Sequence, residues 1–437
     1  MPSSLPARPD ADWDLALAAS LEAHRASHPG ELLAVSTQRA PRKGPLAGVA
    51  VLVKDNIECA DLPTTAGSLA LSDLPTGRDA AILTKLRTLG AHVAGTTNLS
   101  EWANFRGSHS ISGWSARGGL CRNPAQPDHS AGGSSSGSAA AVALGLVPLA
   151  IGTETDGSVL CPASLCGVAG YKSSPTALPT DGVIPLAKTQ DSIGFFASTA
   201  EELYEVGTLL LAPASRPRPR SLVVSERLTA IVTQPTRVRF LAAVHLLASR
   251  GVAVETREGG EGLIPDEEAE MTVLLYECGR DLDAYLTSRR DPHAGSLAAL
   301  IARNEELADE ELALFGQDLL EAALWHPPAH DAYLTARAHN LTRTRAALDE
   351  LLQFAGAVAL PTMDPAWLID LDHGDPPVAT PYSAAAVAGY PAVHLPLGTI
   401  DGLPVGMTLI AGAGEDLALL ELAAHMEALL AQETELR

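Results

Sequence analysis

Apolar positions along this chain follow two rhythms. Val49-Ala50-Val51-Leu52-Val53 is an unbroken run of the length of a strand buried on both faces, and it stops at Lys54. Across residues 78–89 the spacing changes. Ile82, Leu83, Leu86 and Leu89 fall on one face of a helix, and Gly90 suits its end. Ala91-His92-Val93-Ala94-Gly95 reads as strand again. Strand, helix, strand in this order implies a mostly parallel sheet covered by helices.

The same alternation recurs. Residues 138–146 read as a helix after a glycine loop, with Ser136 and Ser138 as natural N-cap residues, and 147–151 as a strand. Strands are expected again at 357–360, 392–396 and 403–410, with a closing helix over 417–430. Upstream, 12–40 reads as amphipathic helix through Trp13, Leu15, Leu17 and Leu21, interrupted at Pro29-Gly30. Residues 213–220, rich in Pro and Arg, read as an exposed linker, and the stretch to about 352 reads as helical. No internal repeat is visible. The chain divides into N-terminal helices (1–45), a core (46–212), a linker with a helix-rich segment (213–352) and a return to the core (353–437).

At 437 residues, length alone allows two or three domains or one large α/β unit. Hydrophobic residues make up 46% and aromatics only 4%, which suits helices packed on a sheet better than an all-β sandwich. The 52 acidic residues outnumber the 30 basic ones, and a formal charge of −22 argues against nucleic acid or an anionic membrane as partner. The longest apolar stretch, 139–152, contains Pro148 and is shorter than the ~20 residues of a membrane span. Residues 1–10 carry no apolar core of signal-peptide length, so a cytoplasmic location is the expectation. Five cysteines, an odd number without zinc-ligand spacing, point to reduced, buried thiols and no metal site.

The candidate chemistry lies in two glycine- and serine-rich stretches, Gly132-Gly133-Ser134-Ser135-Ser136-Gly137-Ser138 and Gly152-Thr153-Glu154-Thr155-Asp156-Gly157-Ser158. A serine hydroxyl is a weak nucleophile unless a neighbour takes its proton, and a lysine can do so only if neutral, a form that burial favours. Lys54 is placed for that role, and equally for snorkelling from a strand end or pairing with Asp55 or Glu58. Gly157 permits a sharp turn in which successive N–H groups converge on an anion, with Ser158 next to it; an ordinary tight turn reads the same. The first stretch fits a linker, a capping loop or a phosphate cradle. Its abrupt passage into an alanine-rich helix speaks against a linker, and no lysine follows before Lys172 as a cradle would need. Gly133-Ser134-Ser135-Ser136-Gly137 also matches a nucleophile elbow. The polar Pro127-Asp128-His129-Ser130 before it is no buried strand, so the elbow is rejected.

Together these segments resemble the amidase signature family, and within it the bacterial peptide amidases. Val53-Lys54-Asp55-Asn56 is similar to the family's lysine segment, Gly132-Gly133-Ser134-Ser135 and Gly157-Ser158 to its serine signature, and Gly402-Leu403-Pro404-Val405-Gly406 to its late strand. The peptide-amidase likeness rests on Asn98-Leu99-Ser100-Glu101-Trp102-Ala103-Asn104-Phe105-Arg106-Gly107, on Ser110-Ile111-Ser112-Gly113-Trp114-Ser115-Ala116-Arg117-Gly118-Gly119, and on the string ending at Ser158. The resemblance implies one α/β/α domain around a mixed, largely parallel sheet with a helical segment inserted, and no cofactor. It implies Ser158 as nucleophile, Ser134, after a cis peptide bond, as proton relay, and Lys54 as base. Backbone N–H groups of Thr155, Asp156, Gly157 and Ser158 would form the oxyanion hole. The substrate would be a small or short-peptide amide, the protein a monomer or homodimer.

Departures from the family pattern qualify the substrate. Asp156 and Ser136 stand where many members carry glycine. Cys161 stands where members acting on carboxylated substrates can carry arginine, so an acidic group is disfavoured there. The nearest rival activity is hydrolysis of aryl amides or nylon-type oligomers. Membership of a tRNA-dependent amidotransferase complex is disfavoured by the charge and the peptide-amidase strings. A fold kept only for binding is disfavoured by the complete Lys54, Ser134, Ser158 set.

Overall fold

The computed structural model describes residues 13–213 and 219–432. Thirteen strands follow in chain order: β1 (Leu32–Val35), β2 (Ala50–Lys54), β3 (His92–Thr97), β4 (Trp114–Ser115), β5 (Gly119–Leu120), β6 (Leu149–Glu154), β7 (Ala169–Lys172), β8 (Ser192–Ala197), β9 (Ser221–Ser225), β10 (Ala253–Arg257), β11 (Ala357–Pro361), β12 (Ala392–Ile400) and β13 (Leu403–Ile410). Eleven form one sheet in the order β1-β3-β2-β6-β8-β7-β12-β13-β11-β9-β10, and β4 with β5 makes a small hairpin.

The sheet is mixed. Parallel pairing runs through β3-β2-β6 and again through β11-β9-β10. The strands between these runs, and the edge strand β1, pair antiparallel. Parallel pairing is thus a smaller share than a largely parallel sheet implies, because residues 49–95 sample one parallel run and the hairpin-like returns lie elsewhere.

Side-chain alternation assigns the two faces. Val51, Val53, Leu149 and Ile151 join the helices Ala81–Thr88, Ala200–Leu210, Gln234–Ser249 and Asp416–Leu430 in one core. Ala50, Leu52, Ala150 and Phe196 face the helices Ser136–Ala143 and Leu160–Cys166 on the other side. Lys54 continues the Ala50–Leu52 face, so it points to the side where the two serine-bearing segments begin their helices. Ser136–Ala143 is buried around its whole circumference, which its run of alanines and small residues allows.

Several expectations are corrected. Residues 12–40 are not all helix: Trp13–Ser27 is helical, but Leu32–Val35 pairs with β3 as an edge strand. The Pro29-Gly30 break is a change of element. The helix expected at 138–146 spans Ser136–Ala143, and Ser136 and Ser138 are not its caps. Their hydroxyls donate instead to Gly132 O at 2.6 Å and Ile151 O at 2.9 Å. Much of the expected linker at 213–220 lies outside the described residues. The helix-rich segment also contributes β9, whose Leu222-Val223-Val224 run is buried in the sheet, and the edge strand β10.

The strings that carry the peptide-amidase likeness have a structural task. Arg106, fully buried, donates to Glu101 Oε1 at 2.5 Å and to Phe315 O at 2.9 Å, and it also donates to Glu311 O. Its guanidinium lies 4.0 Å from the Phe315 ring centroid. Glu311 in turn accepts from Ser68 Oγ and Leu69 N. Around this knot Trp102 and Phe105 pack with Leu282, Leu286 and Leu300 of the inserted helices. The string docks the insertion against the core beside the site.

Candidate active site

Three segments that are far apart in sequence meet where β2 and β6 end. Lys54 is the last residue of β2 and has no solvent exposure. Its Nζ donates to Ser134 Oγ at 2.8 Å, to Thr153 Oγ1 at 2.9 Å and to Thr153 O at 3.2 Å. Ser134 Oγ donates to Ser158 Oγ at 2.9 Å. Lys54, Ser134 and Ser158 therefore form one unbroken hydrogen-bonded chain. The strand-end alternatives fail: Asp55 accepts from Thr65 and Gly67, and Glu58 from Arg78 and Tyr285.

The backbone around Ser134 is tightly fixed. The Gly133–Ser134 peptide is cis. Ser134 O accepts from Ser100 N at 3.0 Å, and Ser135 N donates to Ser158 O at 3.2 Å, tying the two serine segments together. A Cβ at Gly133 would stand 2.1 Å from Ser100 Oγ, so a side chain there would displace the hydroxyl that accepts from Gly113 N.

Burial pulls the Lys54 ammonium down to about 7, while the carboxylates of Asp191 and then Glu154 oppose that shift. Both acids are anchored. Asp191 accepts from Thr155 Oγ1 at 2.6 Å and from the N–H groups of Leu186 and Ala187. Glu154 Oε2 accepts from Val159 N at 2.7 Å and Leu160 N at 3.0 Å. Thr153 Oγ1 also accepts from Asn56 Nδ2 at 2.9 Å. Sequence reasoning assigned no role to Thr153, Glu154, Asn56 or Asp191. The first three sit within or beside quoted motifs and were recoverable; Asp191 precedes β8 with no local signal.

The turn from Thr155 to Ser158 has the conformation expected of it. Gly157 has φ of 75°, and a Cβ there would lie 2.4 Å from the Tyr382 ring. No backbone carbonyl among the described residues takes the N–H groups of Thr155, Asp156, Gly157 or Ser158, although that of Gly157 turns toward the Glu154 carboxylate. Free donors beside a serine hydroxyl can receive an oxyanion. The turn opens on a cleft of about 290 Å³ whose walls include Asn104, Cys161, Trp367, Asp375 and Tyr382, and no lysine, arginine or histidine. Burial pushes the Cys161 thiol up to about 12, which leaves it inert at neutral pH. All five cysteines are buried and unbridged.

Among the described residues, Cys59, Asp61 and Asp79 are the group whose atoms converge as metal ligands would. Arg87 already fills their midst, donating to Asp61 at 2.5 Å and Cys59 Sγ at 3.3 Å and pairing with Asp79 at 2.9 Å. No helix among the described residues is long and apolar enough to cross a membrane.

Residues 25–232 match the family model described as Amidase. The native peptide amidase from Stenotrophomonas maltophilia superposes with a TM-score of 0.80 at 37% identity, over 96% of this chain and 87% of that one. The indoleacetamide hydrolase of Pseudomonas savastanoi is 31% identical over 88% of this chain and 84% of its own. The mandelamide hydrolase of Pseudomonas putida is 30% identical, over 88% and 79%. A lysine and two serines in hydrogen-bonded sequence, on this fold and with these relatives, lead to one statement: the chain belongs to the amidase family and is an amide-hydrolysing enzyme.

Proposed function

We propose that the chain hydrolyses carboxamides through an acyl-enzyme on Ser158, with Ser134 as relay and Lys54 as base. The supporting observation is the hydrogen-bonded chain from Lys54 Nζ through Ser134 Oγ to Ser158 Oγ, at 2.8 and 2.9 Å. A neutral lysine has two N–H bonds and one lone pair. Thr153 O and Oγ1 accept the two N–H bonds, which leaves the lone pair directed at Ser134. Ser134 then passes its proton to Lys54 while taking that of Ser158, whose oxygen attacks the amide carbon. The oxyanion sits against the N–H groups of the Thr155–Ser158 turn. The proton returns along the same path to the leaving nitrogen. Water repeats the steps on the acyl-enzyme and restores Ser158.

The favoured substrate is a neutral C-terminal carboxamide of a short peptide. The likeness to peptide amidase supports it, and so does a cleft that holds Asp156 and Asp375 but no cation to receive a carboxylate. Aryl acetamides, as the indoleacetamide hydrolase likeness suggests, are the second reading. Ammonia release from amidated peptides is the test, with indole-3-acetamide in parallel. A fluorophosphonate should label Ser158 and block release. Unchanged turnover after Ser158→Ala, in protein with native circular dichroism, would remove the mechanism.

A further inference from the structure

Beside the nucleophile cleft runs a second groove, of about 400 Å³, and the two share Asp156 and Val378 as a common wall. Its composition is unusual for this surface. Ile231, Ile264 and Val378 are 37%, 43% and 40% exposed, and all three line the groove, over a floor that includes the buried Leu263. Large apolar side chains left open together, rather than scattered, mark a binding surface. These residues come from separate places: Ile231 ends the helix Glu226–Ala230, Ile264 follows the turn Glu261–Leu263, and Val378 lies on the loop before Tyr382.

The charged groups of the groove are all acidic. Glu267 and Glu270, from the first turns of the helix Glu267–Arg289, line it with Asp156, and no lysine, arginine or histidine does. Glu270 accepts from Gln190 Nε2 at 3.0 Å, and Gln190 Nε2 also donates to Thr155 O at 3.4 Å, so the inserted helix is tied to the oxyanion turn. Asp156 and Glu270 set two carboxyls close together at the back of the groove, and burial pushes both upward. Glu267 is exposed and adds another.

We infer that this groove holds the acyl arm of the substrate, and that it selects an arm combining an apolar side chain with a positive charge, such as a leucine and a lysine preceding the amidated residue. The inference rests on the carboxamide reading above. When the leaving group is ammonia, everything else in the substrate lies on the acyl side, and the groove joined to the cleft at Asp156 is where that bulk can run. Apolar walls take the stem and the acidic rim takes the cation.

Three probes sharing a C-terminal alaninamide separate the terms: acetyl-alaninamide, and acetylated tripeptide amides with Leu-Lys or Leu-Glu before it. The lysine peptide should exceed the glutamate peptide in kcat/KM by roughly three- to tenfold, as expected for contacts with exposed charges. Glu267→Gln should reduce that ratio, and the double variant Ile231→Ser, Ile264→Ser should lower both tripeptides relative to acetyl-alaninamide, whose own turnover stays unchanged. Ser158→Ala protein reads the same preference as binding affinity by calorimetry, independently of chemistry. Equal affinity of that protein for the lysine and glutamate peptides, or variants that scale all three amides alike, would overturn the groove assignment. Peptides that bind Ser158→Ala with the expected preference yet release no ammonia from wild type would overturn the carboxamide reading instead.

Discussion

Two lysines are fully buried in this protein, and they have opposite surroundings. Lys54 Nζ reaches two hydroxyls and one carbonyl, those of Ser134 and Thr153. Lys172, on β7, reaches only carbonyls, Ser173 O at 3.2 Å and Tyr390 O at 3.0 Å. Burial lowers both, and Glu154 lies near enough to oppose the shift in each. Burial alone therefore does not make a base. Carbonyls can only accept, so they reward the ammonium form and offer a proton nowhere to go. A hydroxyl accepts and donates, so Lys54 has a partner able to hand it a proton and take it back.

The strongest test of this contrast replaces each lysine in turn. Lys54→Met should lose on the order of 10³-fold in kcat/KM, the scale of a removed general base. Lys172→Met should keep activity within about tenfold once its fold is checked by circular dichroism. Equal losses would show that burial, and not the partner atoms, sets the function.

Next comes pH. The proposed mechanism needs Lys54 neutral, so kcat/KM should rise with pH and level off above an inflection near 7. A flat profile from pH 5 to 9 would exclude Lys54 as the titrating base.

Replacing Lys54 should move stability the other way from activity. In the folded protein Lys54 sits at about 7, below the ~10.4 of an unfolded lysine. Between these values the unfolded chain binds more protons, so this group's penalty is full below pH 7 and fades as pH rises toward 10. Lys54→Met removes it. The variant should melt roughly 2–4 °C above wild type at pH 6, with a smaller gap at pH 9. A lower melting temperature at pH 6 would mean that the lysine's hydrogen bonds outweigh its burial cost.

The smallest effect belongs to Asp191, the larger of the two carboxylate influences that raise Lys54. Asp191→Asn should shift the activity inflection downward by a fraction of a pH unit. An upward shift would reverse the assigned electrostatics.

How far the chain could be read in advance follows from what each feature depends on. β2, β3, the helix Ala81–Thr88 and β13 were legible because short periodic runs state their own environment. Lys54, Ser134 and Ser158 were legible through motif strings, although only the folded sheet brings them together. β1 was hidden because Leu32–Val35 is four residues long and continues an amphipathic pattern across Pro29-Gly30. β9 and β10 were hidden by the helical composition around them. Asp191 was invisible because its role depends on Thr155, 36 residues away, and no spacing rule links the two. Ser136 and Ser138 looked like helix caps and instead tie the helix to Gly132 and to the sheet at Ile151, a tertiary choice that local propensity does not encode.

The parallel pairing of β2 with β6, Val53 opposite Ile151, has one more consequence. On the proposed mechanism it places the base at the end of one central strand and the segment leading to the nucleophile at the end of its neighbour, so the spacing between them is held by sheet hydrogen bonds. The groove beyond Asp156 is held by a loop, a turn, one short helix and the start of a longer one. Local opening costs little in such connections and approaches the global value in central strands. On the proposed reading, the chemistry therefore belongs to the most slowly exchanging part of the molecule and substrate selection to a faster one. As temperature rises, discrimination between amides should fade before the ability to cut them does.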